Sequence, residues 1–177
     1  MPLRRMLLAL TVCGLSFGAR PTAVSAQGTA SIQAVAQVST TGLSAARMND
    51  LAFGAVAPGV PTVVDPRSSA SSGLWEVHGT RNAEIAALFS LPDSLRVGAH
   101  AMPIVFGAQA GCGRDRNQQN QCAYFDPSAG WVDRIRNNPN PKNTYYIWIG
   151  GTVAPAAAQF PGIYTGTITL TVAYTGN

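Results

Sequence analysis

The side chains that could do chemistry are few in this chain, and none stands at the spacing of a known reactive site. The two histidines, His78 and His100, have no cysteine or second histidine at metal-ligand spacing. The eight carboxylates are spread singly, so the sequence offers no glycosidase-like pair. It contains no Gly-x-Ser-x-Gly elbow, P-loop, dinucleotide-binding glycine pattern or EF-hand loop. We therefore predict a protein that is not an enzyme and that uses no metal or cofactor.

Two cysteines, Cys112 and Cys122, follow the N-terminal leader described below. Their spacing is too wide for a Cys-x-x-Cys redox motif, and no second cysteine pair or nearby histidine completes a zinc site. In an exported chain a disulfide is the default state of such a pair. The sequence therefore predicts a structural disulfide, worth about 2 to 3 kcal/mol from closing a short loop.

The N-terminus has the three parts of a secretory signal peptide. A basic pair, Arg4-Arg5, precedes a mostly apolar run over 6–17, and small residues follow at 24–26. The apolar run is too short for a membrane span, which needs about 20 apolar residues, and no later stretch approaches that length. We predict a signal peptide over 1–26, no membrane span, and export to the periplasm, cell surface or extracellular space.

The basic charge of the chain belongs mainly to this leader. Without Arg4, Arg5 and Arg20, nine basic residues face eight acidic ones, and the formal charge falls from +4 to +1. A balanced charge gives no support for a nucleic-acid partner. The remaining 27–177 has the usual size of one domain, about 150 residues, which is long enough to bury a core.

Short alternating strands must position these groups, and the last of them is the plainest. Over 164–174 one face is apolar and the other is rich in threonine, which is the period of a half-buried strand. The predicted core face comprises Tyr164, Gly166, Ile168, Leu170, Val172 and Tyr174. Similar segments, separated by clusters of Gly, Pro, Ser and Asn, predict an all-β antiparallel sandwich of seven to nine strands.

Two further features bear on function. In 144–149, Tyr146 and Trp148 fall on the predicted outer face, where they would form a stacking platform for a sugar or be covered by a neighbouring loop. The segment 108–143 is polar and holds both cysteines, so we expect a long excursion that is either decoration or a functional surface.

Several blocks together resemble a bacterial secreted domain family of unknown function, number forty-four-oh-two, which is related to spore coat protein U and pilin-like subunits. The blocks are Leu51-Ala52-Phe53-Gly54, Thr62-Val63-Val64-Asp65-Pro66, Gly150-Gly151-Thr152-Val153 and the segment from Gly162-Ile163-Tyr164-Thr165-Gly166 through Tyr174. The resemblance covers nearly the whole of 27–177. It implies an immunoglobulin-like sandwich with a cell-surface, fimbria-like or spore-coat-like role, and it carries over no catalytic residue.

Pilin-like relatives assemble when an extended segment of one subunit fills a missing strand of the next. The segment 29–38 alternates, and its ten residues would span about 33 Å, enough to line a sandwich groove. Its apolar face contains Ile32, Ala34, Ala36 and Val38. These side chains either fill the groove of a neighbour or belong to the domain's own first strand. The expected partners are therefore other copies, related surface subunits or a periplasmic chaperone, and the alternative function is a secreted carbohydrate-binding module.

Overall fold

The computed structural model describes residues 28–38, 42–67, 70–136 and 143–176, which are almost entirely β-structure. The predicted signal peptide lies outside the described residues. In chain order the strands are β1 (Gly28–Val38), β2 (Ser44–Asn49), β3 (Leu51–Val56), β4 (Thr62–Val64), β5 (Gly73–His78), β6 (Glu84–Ser90), β7 (Ser94–Val97), β8 (His100–Val105), β9 (Gly111–Arg114), β10 (Ala123–Phe125), β11 (Trp131–Arg134), β12 (Thr144–Ile149), β13 (Gly151–Val153) and β14 (Ile163–Tyr174). A single 3-10 turn, Gln119–Gln121, precedes β10.

These strands form two sheets, which confirms the predicted all-β sandwich. The large sheet has nine strands in the order β11-β6-β14-β7-β8-β13-β4, with β1 placed between β14 and β3. The small sheet has five, in the order β10-β9-β12-β5-β2. No helix in the described ranges is both long and apolar enough to cross a membrane.

The described strands outnumber the predicted seven to nine, partly because 108–136 contributes three strands. Strands β9 and β10 belong to the small sheet, and β11 pairs with β6 at one end of the large sheet. Each has only three or four residues, too few for an alternating pattern to identify it from sequence.

The alternation of β14 is confirmed by the burial of its side chains. Tyr164, Ile168, Leu170 and Val172 are fully buried, whereas Thr165 and Thr167 on the opposite face are exposed. Gly166 and Tyr174 on the core face are half-buried. The buried side chains of β14 belong to the same core as those of β5 and β12, including Trp75, Val77, Tyr145 and Ile147.

One strand pair departs from the predicted antiparallel arrangement. Strands β1 and β14 pair in parallel over ten register positions, from Thr29 beside Ile163 to Val38 beside Val172. The other strand pairs formed by the described residues are antiparallel. Strands β1 and β14 are neighbours in the sheet but far apart along the chain. No hairpin connects them, so they need not run in opposite directions.

Candidate functional site

The position of β1 in the large sheet is the candidate functional site. Its core face buries Ala30, Ile32 and Ala34 completely or nearly so, and Ala36 is half-buried. The backbone of Val38 is described, but its side-chain burial lies outside the described residues. The structure thus places this segment as a strand of the chain's own large sheet, between β14 and β3.

Strand β1 uses its two backbone edges differently along its length. The Thr29 N–H donates to the Gly162 carbonyl oxygen at 3.2 Å, on the β14 side. Pairing with β3 on the other side extends only as far as Ile32 beside Leu51. Ala34 lies five positions after Thr29, and N–H groups alternate between the two edges of a strand, so the Ala34 N–H faces away from β14. Among the described residues, β1 from Ala34 onwards is therefore paired with another strand only along its β14 edge.

A side chain replaces the strand partner at the point where β3 ends. The Ala34 N–H donates to Asp50 Oδ1 at 3.1 Å, and the same oxygen accepts a hydrogen bond from Arg47 Nη1 at 2.8 Å. Asp50 is the one residue between β2 of the small sheet and β3 of the large sheet. Because the chain crosses between sheets there, β3 cannot pair further along β1, and the carboxylate provides the next acceptor.

The partner strand β14 is held at both ends by tyrosine hydroxyls. Tyr164 donates to the Phe160 carbonyl oxygen at 2.8 Å, and its hydroxyl accepts from Gln159 Nε2 at 2.6 Å. At the other end the Thr80 N–H donates to the Tyr174 hydroxyl at 2.6 Å. These bonds do not involve β1, so β14 keeps its anchors whatever strand lies beside it.

The predicted sugar platform at Tyr146 and Trp148 is wrong in its exposure. Each residue is only 2% exposed, and their rings stack at a centroid distance of 5.8 Å. They form a small second core with Leu74 and the Cys112–Cys122 disulfide, and Tyr124 packs against it. The disulfide is as predicted, and its two cysteines belong to the cluster on the outer face of β12. Both faces of β12 are therefore buried.

A cleft of about 290 Å³ lies beside this small core and is lined by Asp65, Gln109, Tyr124 and Thr152, among others. Its main polar groups already bond to one another. The Tyr124 hydroxyl donates to Asp65 Oδ1 at 3.1 Å, and the same carboxylate accepts from the Arg67 N–H at 2.8 Å. The Arg67 guanidinium lies 4.9 Å from the centre of the Tyr124 ring. These contacts connect the turn after β4 to β10, which gives Asp65, Arg67 and Tyr124 a structural role.

The largest electrostatic perturbation also has a structural explanation. Burial, followed by the nearby Asp133 carboxylate, raises the pKa of Tyr145 far above its ordinary value. The neutral hydroxyl donates to Asp133 Oδ2 at 2.7 Å and accepts from Trp131 Nε1 at 2.9 Å. The network joins β11 in the large sheet to β12 in the small sheet, and the Tyr145 side chain is fully buried.

The two histidines remain far from any ligand cluster in the described part of the chain. Nδ1 of His78 is 3.0 Å from Thr144 Oγ1, and its Nε2 is 3.6 Å from Glu76. His100 stacks on Phe160 with a centroid distance of 4.0 Å. The described residues bring no three His, Cys, Asp or Glu side chains together at metal-binding distance.

The fold and the disulfide define the class of this protein as a disulfide-bridged, all-β domain of two sheets. No protein-family model matches the chain, and no curated protein matches it either. The resemblance to the secreted domain family therefore stays a prediction.

Proposed function

We propose that the protein is a non-catalytic, exported structural or adhesive subunit of the cell surface, of the pilus-like or spore-coat-like kind. In this proposal copies join by strand addition, with the β1 segment of one copy lying beside β14 of the next. A related subunit or a periplasmic chaperone would present an equivalent strand before assembly. The observation that supports the proposal most is the placement of the first strand between β14 and β3.

Topology makes β1 exchangeable in a way that the inner strands are not. Among the described strands, all the others follow β1 in the chain, and the C-terminal end of β1 connects it to them. It can leave the sheet and be replaced without any loop being threaded. A copy that lends its strand to one neighbour and receives one from another forms a head-to-tail contact, which extends into filaments unless the ring closes.

Energetics require that the β1 position be filled. Removing β1 takes the fully buried Ile32 side chain into water. Burial of one such side chain contributes about 1.5 to 3 kcal/mol, and the β14 edge would also lose its backbone partner. Exchange between identical copies restores the same contacts, so it costs little at equilibrium and is limited by how often β1 detaches.

Supplying the strand from outside the chain tests the proposal. A variant lacking 27–38 should unfold more easily or aggregate, and a synthetic peptide of 28–38 added in trans should restore its cooperative unfolding transition. A scrambled peptide of the same composition is the matched control. If the truncated domain is fully stable alone, or if the peptide has no effect, β1 is not a replaceable element and the proposal fails.

The alternative function, a secreted carbohydrate-binding module, rested on Tyr146 and Trp148. Burial in the cluster with the disulfide leaves neither ring face open for stacking on a sugar. No other observation favours that alternative, so we retain the surface-subunit proposal.

A further inference from the structure

We propose that Gly166 sets the register of the strand that fills the β1 position, that Asp50 requires a backbone N–H at the position of Ala34, and that together they select a strand with the pattern of this chain's own β1. The register assignment applies to β1 within one chain. The selection of a second copy's β1 rests on the proposed function.

Side-chain sizes alternate in a complementary way across the parallel pair. In register, Ala30 lies beside Tyr164, Ala34 beside Ile168 and Ala36 beside Leu170. The one large residue among these positions of β1, Ile32, lies beside Gly166. Small residues thus face large ones, and the large residue faces the residue without a side chain.

Packing on the far side of β14 explains why position 166 is small. A Cβ on Gly166 would lie 2.8 Å from Leu95 Cδ2, and Leu95 is fully buried. An alanine there would have to displace Leu95 inside the core, where neighbouring side chains leave little room. Leu95 therefore requires a residue without a side chain at position 166, and Ile32 is the register partner of that residue in β1.

Asp50 adds a polar requirement at a fixed distance from Ile32. Its carboxylate accepts the N–H of Ala34, two residues after Ile32, so the residue at this position must have a backbone N–H. Sliding β1 by two residues would place Ile32 beside Tyr164 or Ile168 and leave alanine beside Gly166. Sliding it by one would turn Ser31 and Gln33 into the core. An accepted strand therefore has a small-large-small pattern at alternate positions and a free N–H, which excludes proline, at the position of Ala34.

Cysteine cross-linking within the full chain reads the register directly. Gln33 and Thr167 are exposed register partners, so a Q33C/T167C chain should form an intrachain disulfide in higher yield than Q33C/T165C. We then exchange the two core residues of β1 with I32A/A34I, which keeps composition and hydrophobicity. If Gly166 sets the register, the isoleucine at 34 should move beside Gly166, and the higher yield should shift to the Q33C/T165C pair.

The control variant Ile32→Val should keep the original cross-link. If I32A/A34I still cross-links best through Q33C/T167C, Gly166 does not set the register and the proposal is overturned. Loss of preference between the two cysteine pairs would also count against it.

Hydrogen exchange tests Asp50 independently of any cross-link. The Ala34 amide should exchange at least about tenfold faster in Asp50→Ala, the factor that corresponds to losing one hydrogen bond to a charged acceptor. Asp50→Asn retains an acceptor oxygen and should have a smaller effect. An unchanged Ala34 exchange rate in Asp50→Ala would remove Asp50 from the proposal.

Selection between copies is tested with a mixture of chains that each carry one added cysteine. Acceptor chains carry T167C, and donor chains carry Q33C either alone or together with I32A/A34I. The donor with the native core residues should give the higher yield of cross-links to the acceptor. Equal interchain yields would refute selection. If the intrachain register behaves as expected but neither donor cross-links between chains, the proposed assembly fails while the register assignment holds.

Discussion

The side chain of Ile32 gives the sharpest energetic test of how firmly β1 is held. It is fully buried, and its neighbour in β14 is Gly166. Replacing a buried isoleucine by alanine costs about 2 to 5 kcal/mol, depending on how far the surroundings collapse into the cavity. Gly166 has no side chain to move inward, so we expect the cost of Ile32→Ala to lie above the low end of that range, at about 3 to 4 kcal/mol.

Urea unfolding of the chain, followed by tryptophan fluorescence, measures this free energy. At about 2 to 4 °C per kcal/mol for a domain of this size, the melting temperature should fall by about 10 °C. Gln33→Ala is the matched control, because Gln33 lies next to Ile32 on the exposed face and should change stability by no more than about 0.5 kcal/mol. A loss below about 1 kcal/mol for Ile32→Ala would refute the view that β1 is an integral core strand.

Three further variants and conditions have defined outcomes. Gly150→Ala should prevent folding or strongly lower the melting temperature, because a Cβ there would overlap the Val64 carbonyl oxygen, whereas Gly107→Ala meets no atom within 4 Å and should be neutral. Replacing Cys112 and Cys122 by alanine should lower the free energy of unfolding by about 2 to 3 kcal/mol in urea titrations, and no effect would mean that the bridge does not constrain the unfolded chain. Burial raises the pKa of Tyr145, so the unfolded state loses the hydroxyl proton at lower pH than the folded state, and the free energy of unfolding should fall as the pH rises above about 10. Tyr145→Phe should reduce this fall. An unchanged dependence of stability on pH in the variant would contradict a raised pKa at Tyr145.

Local pattern was sufficient to predict β14 and the core face of β1. Period-two alternation depends only on neighbouring residues, so Ile168, Leu170 and Val172 could be placed in the core from sequence. The disulfide was predicted from the number of cysteines and the predicted compartment. These predictions needed no knowledge of which strand lay beside which.

Other features depend on contacts that are distant in sequence. Strand β9 has the sequence Gly-Cys-Gly-Arg and is extended because it pairs with β12 on one side and β10 on the other. Trp148 is buried because it packs in a cluster with Leu74 and the disulfide on the outer face of β12. The alternating pattern of β12 alone cannot reveal these contacts.

The candidate site was predicted only in part. The alternating residues of β1 were identified, but its parallel pairing with β14 and the hydrogen bond from Ala34 to Asp50 were missed. Asp50 looks like an ordinary turn residue in the sequence, and its role appears only when β2 and β3 are assigned to different sheets. The size match between Ile32 and Gly166 likewise requires the register.

The most direct test of the proposed assembly is whether β1 of one copy lies beside β14 of another. Chains carrying only Q33C are mixed with chains carrying only T167C, each otherwise native, under conditions that allow slow strand exchange. Q33C mixed with A156C, an exposed loop position, controls for random collision. Strand addition predicts disulfide-linked heterodimers from the first mixture well above the control, whereas equal yields from the two mixtures would contradict it.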